Sequence, residues 1–143
     1  MACKTTSKGT YLYYDSDGIS TYTQLTGVKS LSGPNVSVEI KDQTSLDSTD
    51  GWREFCASFK DGGELTAQIY FVKAISTVLY GTLLGATYYW RVSFPLLTGE
   101  SSNSQLEFQG ILSAIGNEVP EDDFIMVPIT VKVTGAVTFT AGS

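Results

Sequence analysis

The sequence contains no histidine, the side chain best suited to proton transfer near neutral pH and the most common transition-metal ligand. A serine or cysteine nucleophile needs a neighbouring base, so only lysine or carboxylate variants of such a site remain open. No glycine-rich phosphate-binding motif follows a strand pattern either. We therefore predict a non-enzymatic protein with no catalytic residues, no cofactor and no metal site.

Cysteine, basic residues and long apolar runs are also scarce. Cys3 and Cys56 are too far apart to indicate a disulfide framework or a metal site, so we expect free thiols. Nine Lys and Arg against 15 Asp and Glu give a net charge of −6, which disfavours binding of nucleic acid by phosphate neutralisation. No apolar run approaches the roughly 18 residues that cross a membrane, and no secretory signal is apparent. We expect a soluble, cytoplasmic product with no membrane partner.

Two acidic segments resemble parts of cation sites. Residues 15–18 read Asp-Ser-Asp-Gly, as at the start of a calcium loop, but Thr26 stands where that loop needs a bidentate glutamate. A hairpin turn is the favoured interpretation. Glu118 and residues 121–123 supply four carboxylates beside Pro120, a pattern more typical of a solvated turn than of a hard-cation site.

Alternation of apolar and polar residues predicts a series of antiparallel strands. Two β-prone runs within residues 10–24 flank a turn and predict a hairpin. Further strands are predicted over residues 36–41, 64–71, 88–94, 106–112, 125–133 and, after Gly135, 136–140. Helical spacing of apolar residues within 73–84, ending at Gly85, predicts one short amphipathic helix.

These elements predict a mostly β fold, an antiparallel β-sandwich or partly closed barrel with one flanking α-helix. A length of 143 residues favours one domain, 1–143, with residues 1–9 as a flexible N-terminal arm. Residues 42–63 show no strand pattern yet contain Trp52, Phe55 and Phe59. Loops of this length in compact domains are usually functional, so we interpret the segment as a long assembly loop.

Several stretches resemble parts of the major tail tube proteins of siphophages, which have long non-contractile tails. The segment 33–48 resembles the strand and following Asp-x-Thr-Ser segment of that family, and 51–66 resembles its Arg-Glu and Lys-Asp-Gly-Gly-Glu-Leu signature. Near the other end, residues 110–113, 116–120 and 130–135 are similar to the family's closing strands. The family is related in fold to the type VI secretion tube.

The resemblance implies a structural virion protein of the phage tail, assembled in the host cytoplasm. Six copies would form a ring, and stacked rings would form a hollow tube that conducts DNA during ejection without binding it tightly. The implied partners are further copies of the chain and other tail proteins, namely the tape measure, the tail tip and the terminator.

Within this interpretation, we expect the 42–63 segment to be mobile in the monomer and to order against the next ring. Its candidate stacking residues are Asp47, Trp52, Arg53, Phe55 and Phe59. Polar side chains on the alternating strands are candidates to line the channel: Ser37, Glu39, Lys41, Thr66, Gln68, Glu107, Gln109, Thr130 and Lys132.

Two other functions remain open. Adjacent aromatics such as Tyr13-Tyr14 and Tyr88-Tyr89 must point to opposite faces of their strands, which favours self-assembly but also fits an exposed binding surface. A monomeric β-sandwich that binds carbohydrate or acts in adhesion is therefore the main alternative. A monomeric tail component such as a terminator is a weaker one.

Overall fold

The structure is a computed structural model that describes residues 8–19 and 22–143. Residues 1–7, most of the predicted N-terminal arm including Cys3, lie outside the described residues. Nine strands and one α-helix are present in the described part of the chain: β1 (Tyr11–Asp15), β2 (Thr23–Gln24), β3 (Val28–Ser32), β4 (Ser37–Asp42), β5 (Phe55–Asp61), β6 (Glu64–Tyr70), α1 (Lys73–Val78), β7 (Thr87–Ser93), β8 (Gln105–Ile115) and β9 (Met126–Thr140).

Seven strands form one open antiparallel sheet in the order β2-β1-β7-β8-β9-β6-β3. Among the described residues, strands β4 and β5 pair only with each other and form a separate two-stranded sheet. The predicted mostly β class with one helix is confirmed. No helix in residues 8–19 and 22–143 is long and apolar enough to cross a membrane.

One face of the large sheet carries the hydrophobic core. The alternation predicted for β6 to β9 is confirmed within these strands, where the apolar positions are buried or half-buried on this face. Phe71 and Ile125, which were predicted to continue it, lie outside the strands and are exposed. Trp90 is fully buried at its centre, and its indole N–H donates to the Gly110 carbonyl at 3.2 Å. The buried cluster comprises Leu12, Leu25, Leu65, Ala67, Ile69, Leu79, Leu83, Trp90, Val92, Phe108, Leu112, Val127, Ile129, Val131 and Val133.

The predicted helix covers part of this core. It begins at Lys73 and runs as α-helix to Val78, then continues as a wider turn over Leu79–Leu83. Leu79 and Leu83 are fully buried, in agreement with the predicted apolar spacing. Gly85 follows at φ 77°, the left-handed conformation that ends helices, and its N–H donates to the Leu112 carbonyl at 3.0 Å.

The hairpin predicted within residues 10–24 is also confirmed. Strands β1 and β2 pair antiparallel, with Tyr13 opposite Gln24, although β2 is only two residues long. Residues 20 and 21 of its turn lie outside the described part.

Three sequence predictions were wrong. Residues 42–63 are not free of strands, because β5 occupies Phe55–Asp61. Strand β3 over Val28–Ser32 was not predicted at all. The last two predicted strands form a single strand, since β9 runs from Met126 through Gly135 to Thr140. The pairing of β9 with β8 continues on both sides of a register shift beside Gln109.

Strands β3 to β6 form one long hairpin that is interrupted halfway. Ser32 lies opposite Thr66 in the inner half, and Ser37 lies opposite Asp61 in the outer half. The interruption contains Gly33 at φ 98° and Gly63 at φ 69°. A Cβ at Gly33 would collide with the Glu64 carbonyl oxygen, and one at Gly63 with that of Asn35. The close packing of the two sides of the hairpin at this root therefore requires glycine.

Candidate assembly surfaces

The outer half of this hairpin, residues 36–62, is called the arm here. Every residue of β4 is exposed, and so is every residue of β5 except Ser58, which is half-buried. A lone two-stranded sheet is marginal in water, and this one carries large exposed apolar side chains on its strands and tip: Val36, Val38, Ile40, Leu46, Trp52, Phe55 and Phe59. The arm thus presents an apolar surface that the rest of the described chain leaves uncovered.

All five predicted stacking residues, Asp47, Trp52, Arg53, Phe55 and Phe59, lie on the arm. Trp52 is 75% exposed and Phe59 is 80% exposed. Strand β4 contributes to this surface as well, which was not predicted. The alternation of Val36, Val38 and Ile40 was visible in the sequence, but it was interpreted only as a strand and not as part of this exposed surface.

The two sides of the arm tip are joined by a polar network. The Glu54 N–H donates to the Thr44 hydroxyl at 2.8 Å, and the Gln43 N–H donates to the Glu54 carbonyl at 2.9 Å. Asp42 accepts from the Thr44 N–H at 2.8 Å and from the Arg53 guanidinium at 2.9 Å. The backbone of the segment is therefore paired in the isolated chain, whereas its apolar side chains are not.

The turn at the tip is also held by short-range polar contacts. The Ser45 N–H donates to the Ser48 hydroxyl at 3.1 Å, and the Ser45 hydroxyl donates to the Asp47 carboxylate. A 3-10 turn over Thr49–Gly51 then leads to Trp52. Asp47 thus orders the turn that precedes the exposed tryptophan.

Asp42 and Asp47, two carboxylates of the arm tip, have pKa values below those of ordinary aspartates. Hydrogen bonds from Thr44, with a smaller contribution from Arg53, lower the pKa of Asp42. A hydrogen bond from the Ser45 hydroxyl lowers the pKa of Asp47. Each carboxylate accepts these bonds best when it is charged.

We predict that the arm tip loosens in acid before the sheet does. A lowered carboxyl pKa stabilises the folded tip fully above the ordinary aspartate pKa of about 3.9, and this contribution is lost as the pH falls through the lowered value. Hydrogen exchange of the Glu54 amide should therefore accelerate below about pH 4 relative to the Phe108 amide in β8. The variant Asp42→Asn should show fast Glu54 exchange already at neutral pH. Equal Glu54 protection at pH 7 and pH 2 would contradict the prediction.

The face of the large sheet opposite the core is polar. The register places Gln68, Glu107, Gln109 and Lys132 of the predicted channel residues on this face. Thr66 and Thr130 lie there as well, directly opposite each other. The other three candidates, Ser37, Glu39 and Lys41, lie on the arm, where Glu39 and Lys41 form an exposed ion pair at 3.7 Å.

One half of the polar face is covered by the chain itself. The Arg91 guanidinium stacks on the Tyr22 ring at 3.9 Å and pairs with Glu107 at 3.3 Å. Burial, followed by the negative charge of Glu107, raises the pKa of Tyr22. Gly18 packs so closely on the Tyr89 ring that a side chain there would collide with it. Glu107 is therefore engaged in a local cluster.

The other half, on β6 and the first half of β9, is uncovered by the described chain. It carries Glu64, Thr66, Gln68, Thr130 and Lys132, and none of these side chains is buried. Lys132 lies directly opposite Glu64 and is 3.8 Å from the Asp61 carboxylate. This open half thus carries two threonine hydroxyls and one glutamine amide, and its lysine lies between two acidic residues.

Within the described residues, no group of three or more cysteine or acidic side chains is placed to hold a metal ion. Cys56 is an exposed free cysteine on β5. The arm and the open half of the polar face are consequently the surfaces to compare with known assemblies.

A family model described as lambda phage tail tube protein, TTP, matches residues 6–140. The chain belongs to the lambda phage tail tube protein family. It is therefore a structural protein of phage tail tubes, and the resemblance found in the sequence is confirmed. This membership makes a carbohydrate-binding or adhesive module the less favoured interpretation.

Solved structures resemble this tail tube protein over nearly its whole length. The tail of an empty gene transfer agent particle, of C6 symmetry, matches with a TM-score of 0.70 and 16% identity, covering 96% of this chain and 100% of that chain. The anti-feeding prophage baseplate gives 0.68, 10% identity and coverage of 99% and 98%. The SPP1 tail tube gives 0.66, 9% identity and coverage of 96% and 80%. No curated protein sequence matches. At these identities the likeness establishes the shared fold.

Proposed function

We propose that six copies of the chain form a ring and that rings stack head to tail into the hollow tail tube, in a structural role without catalysis. The observation that carries this proposal is the family match over residues 6–140. The structural neighbour with C6 symmetry supports six as the number of copies. We further propose that assembly takes place in the host cytoplasm, together with the tape measure, tail tip and terminator proteins.

The arm is proposed to make the contact between rings. Its backbone is paired within the chain, so association needs no large ordering of the main chain and can bury side chains that water now surrounds. Trp52, Phe55 and Phe59 supply rigid aromatic anchors of the kind that carry most of the energy of an interface. Because the arm is an extension of the sheet and not a loose loop, its direction is set at the root by Gly33 and Gly63.

The open half of the polar face is proposed to line the channel. Hydroxyl and amide groups give DNA no fixed charge to bind, and Lys132 is flanked by Glu64 and Asp61. A net charge of −6 per subunit adds repulsion of phosphates over roughly 8 to 10 Å. DNA could then slide through without being held.

Purified protein tests this proposal directly. We expect negative-stain electron microscopy to show hollow tubes or six-fold rings, and light scattering of the smallest assembled species to give six times the subunit mass of 15.4 kDa. A closed two-fold dimer as the final assembly would contradict it. So would a strict monomer that assembles with no other tail protein.

A further inference from the structure

A second exposed apolar surface lies away from the arm. It is called the far-end patch here and consists of Tyr70, Phe71, Val72, Val119, Phe124 and Ile125. Phe124 is 70% exposed, and its ring contacts that of Tyr70 edge to face, with 5.7 Å between ring centroids. Contiguous exposed apolar side chains of this kind mark interaction sites.

The far-end patch is held in place by the main chain. The Phe71 N–H donates to the Ile125 carbonyl at 3.0 Å. Glu118 and Met126 exchange two backbone hydrogen bonds, at 2.8 and 3.0 Å, which tie the loop between them to the start of β9. A preformed surface loses little conformational entropy when a partner binds.

The patch and the arm lie at opposite ends of strand β6. The arm joins β6 at Glu64 through Gly63, whereas Tyr70 ends the strand and leads into Phe71 and Val72. Seven residues of strand separate the two ends by roughly 20 Å. Copies arranged head to tail along this strand direction would therefore bring the arm of one copy to the patch of the next.

We propose that the far-end patch is the docking surface for the arm of a second copy in the adjacent ring. The inference rests on the proposed function and adds the missing partner surface. The two surfaces are different, so the contact is heterologous, and a contact of this kind repeats without closing and grows into a filament. Only the terminal rings would then have unoccupied surfaces, free arms at one end of the tube and free patches at the other.

Substitution of Phe124 tests the docking surface. We expect Phe124→Ser to form rings normally but to raise the concentration needed for tube growth by roughly ten- to hundredfold, as expected for loss of one buried aromatic contact. Phe139→Ser is the matched control, because Phe139 is similarly exposed at 61% but belongs to neither surface. Val119→Ser provides a second patch variant if Phe124→Ser does not fold. Tubes of normal length from both patch variants would overturn the proposal.

Cross-linking tests the identity of the partner. In a chain with Cys3→Ser and Cys56→Ser, the pair Ser48→Cys and Asp123→Cys places one thiol on the arm tip and one beside the patch. A short bismaleimide should convert assembled tubes into a ladder of dimers, trimers and longer species, and either single-cysteine chain should remain monomeric. A product that stops at six subunits in isolated rings would place the contact within a ring and overturn the proposal.

The docking surface and the tube function give different results if either is wrong. If the wild-type chain forms stacked rings but the double-cysteine chain gives no ladder, the docking surface is wrong and the tube function stands. If the wild-type chain forms neither rings nor tubes with its tail partners, the proposed function itself fails.

Discussion

Replacement of Trp52 by alanine is expected to raise the concentration needed for tube growth by roughly ten- to hundredfold. The free energy of unfolding of the monomer should change by no more than about 0.5 kcal/mol. The side chain is 75% exposed, and the hydrogen bond from its N–H to the Thr49 carbonyl is made by the backbone and survives the change. In the proposed tube the ring is buried, which contributes roughly 1.5 to 3 kcal/mol per contact. Six such contacts would be lost between every two rings.

The natural control is the other tryptophan, because the chemical change is identical and the environment is opposite. Trp90 is fully buried in the core, and Trp90→Ala is expected to cost about 3 to 5 kcal/mol of unfolding free energy. Chemical denaturation of the two variants, alongside electron microscopy of tube length, separates the two effects. If Trp52→Ala grew tubes of wild-type length, the arm would not carry the contact between rings.

The strands of the large sheet could be predicted from the sequence because burial of one face makes apolar and polar residues alternate along each strand. Leu65, Ala67 and Ile69 alternate with polar residues for the same physical reason that they lie in the core. The helix was predictable from Leu79 and Leu83, which share one face at helical spacing. These elements bury their apolar side chains within the chain, so the local sequence pattern is sufficient to predict them.

The arm could be recognised in part only. Strand β5 has aromatic residues at Phe55 and Phe59 and polar residues on both faces, and in the part of the chain that the structure describes neither face is buried against the core. In the proposed tube this pattern reflects contact with another copy of the chain. The usable signal was the density of aromatic residues in a polar segment, and the structure shows that Trp52, Phe55 and Phe59 are exposed.

The faces of the sheet could not be assigned from the sequence for a related reason. Alternation tells which residues share a face within one strand, but pairing between strands decides which strands share a sheet. Gln68 and Lys132 lie on neighbouring strands of the large sheet, whereas Glu39 and Lys41 have the same alternation and lie on the arm. Glu107 is covered by Arg91 of β7 and by Tyr22. Tyr22 lies in a loop without a periodic sequence pattern, so this contact could not be predicted.

A lysine in place of Gln68 is expected to make the channel bind DNA without disturbing assembly. Gln68 lies on the open half of the polar face, opposite Pro128, and the wild-type surface there offers only Lys132, flanked by Glu64 and Asp61. Each ring would gain six unpaired cations. Each lysine that contacts a phosphate adds roughly 0.9 to the slope of log affinity against log salt, so the effect of many rings should be large at low salt and vanish at high salt.

Co-sedimentation of duplex DNA with assembled tubes measures this change. Wild-type tubes should leave the DNA in solution, and Gln68→Lys tubes should carry it down in a salt-dependent manner. Gln24→Lys adds the same charge on β2, at the opposite edge of the sheet, and should resemble the wild type. Strong DNA binding by Gln24→Lys tubes but not by Gln68→Lys tubes would mean that the β6–β9 half of the polar face lies away from the DNA path, because the charge acts only where phosphates can approach it.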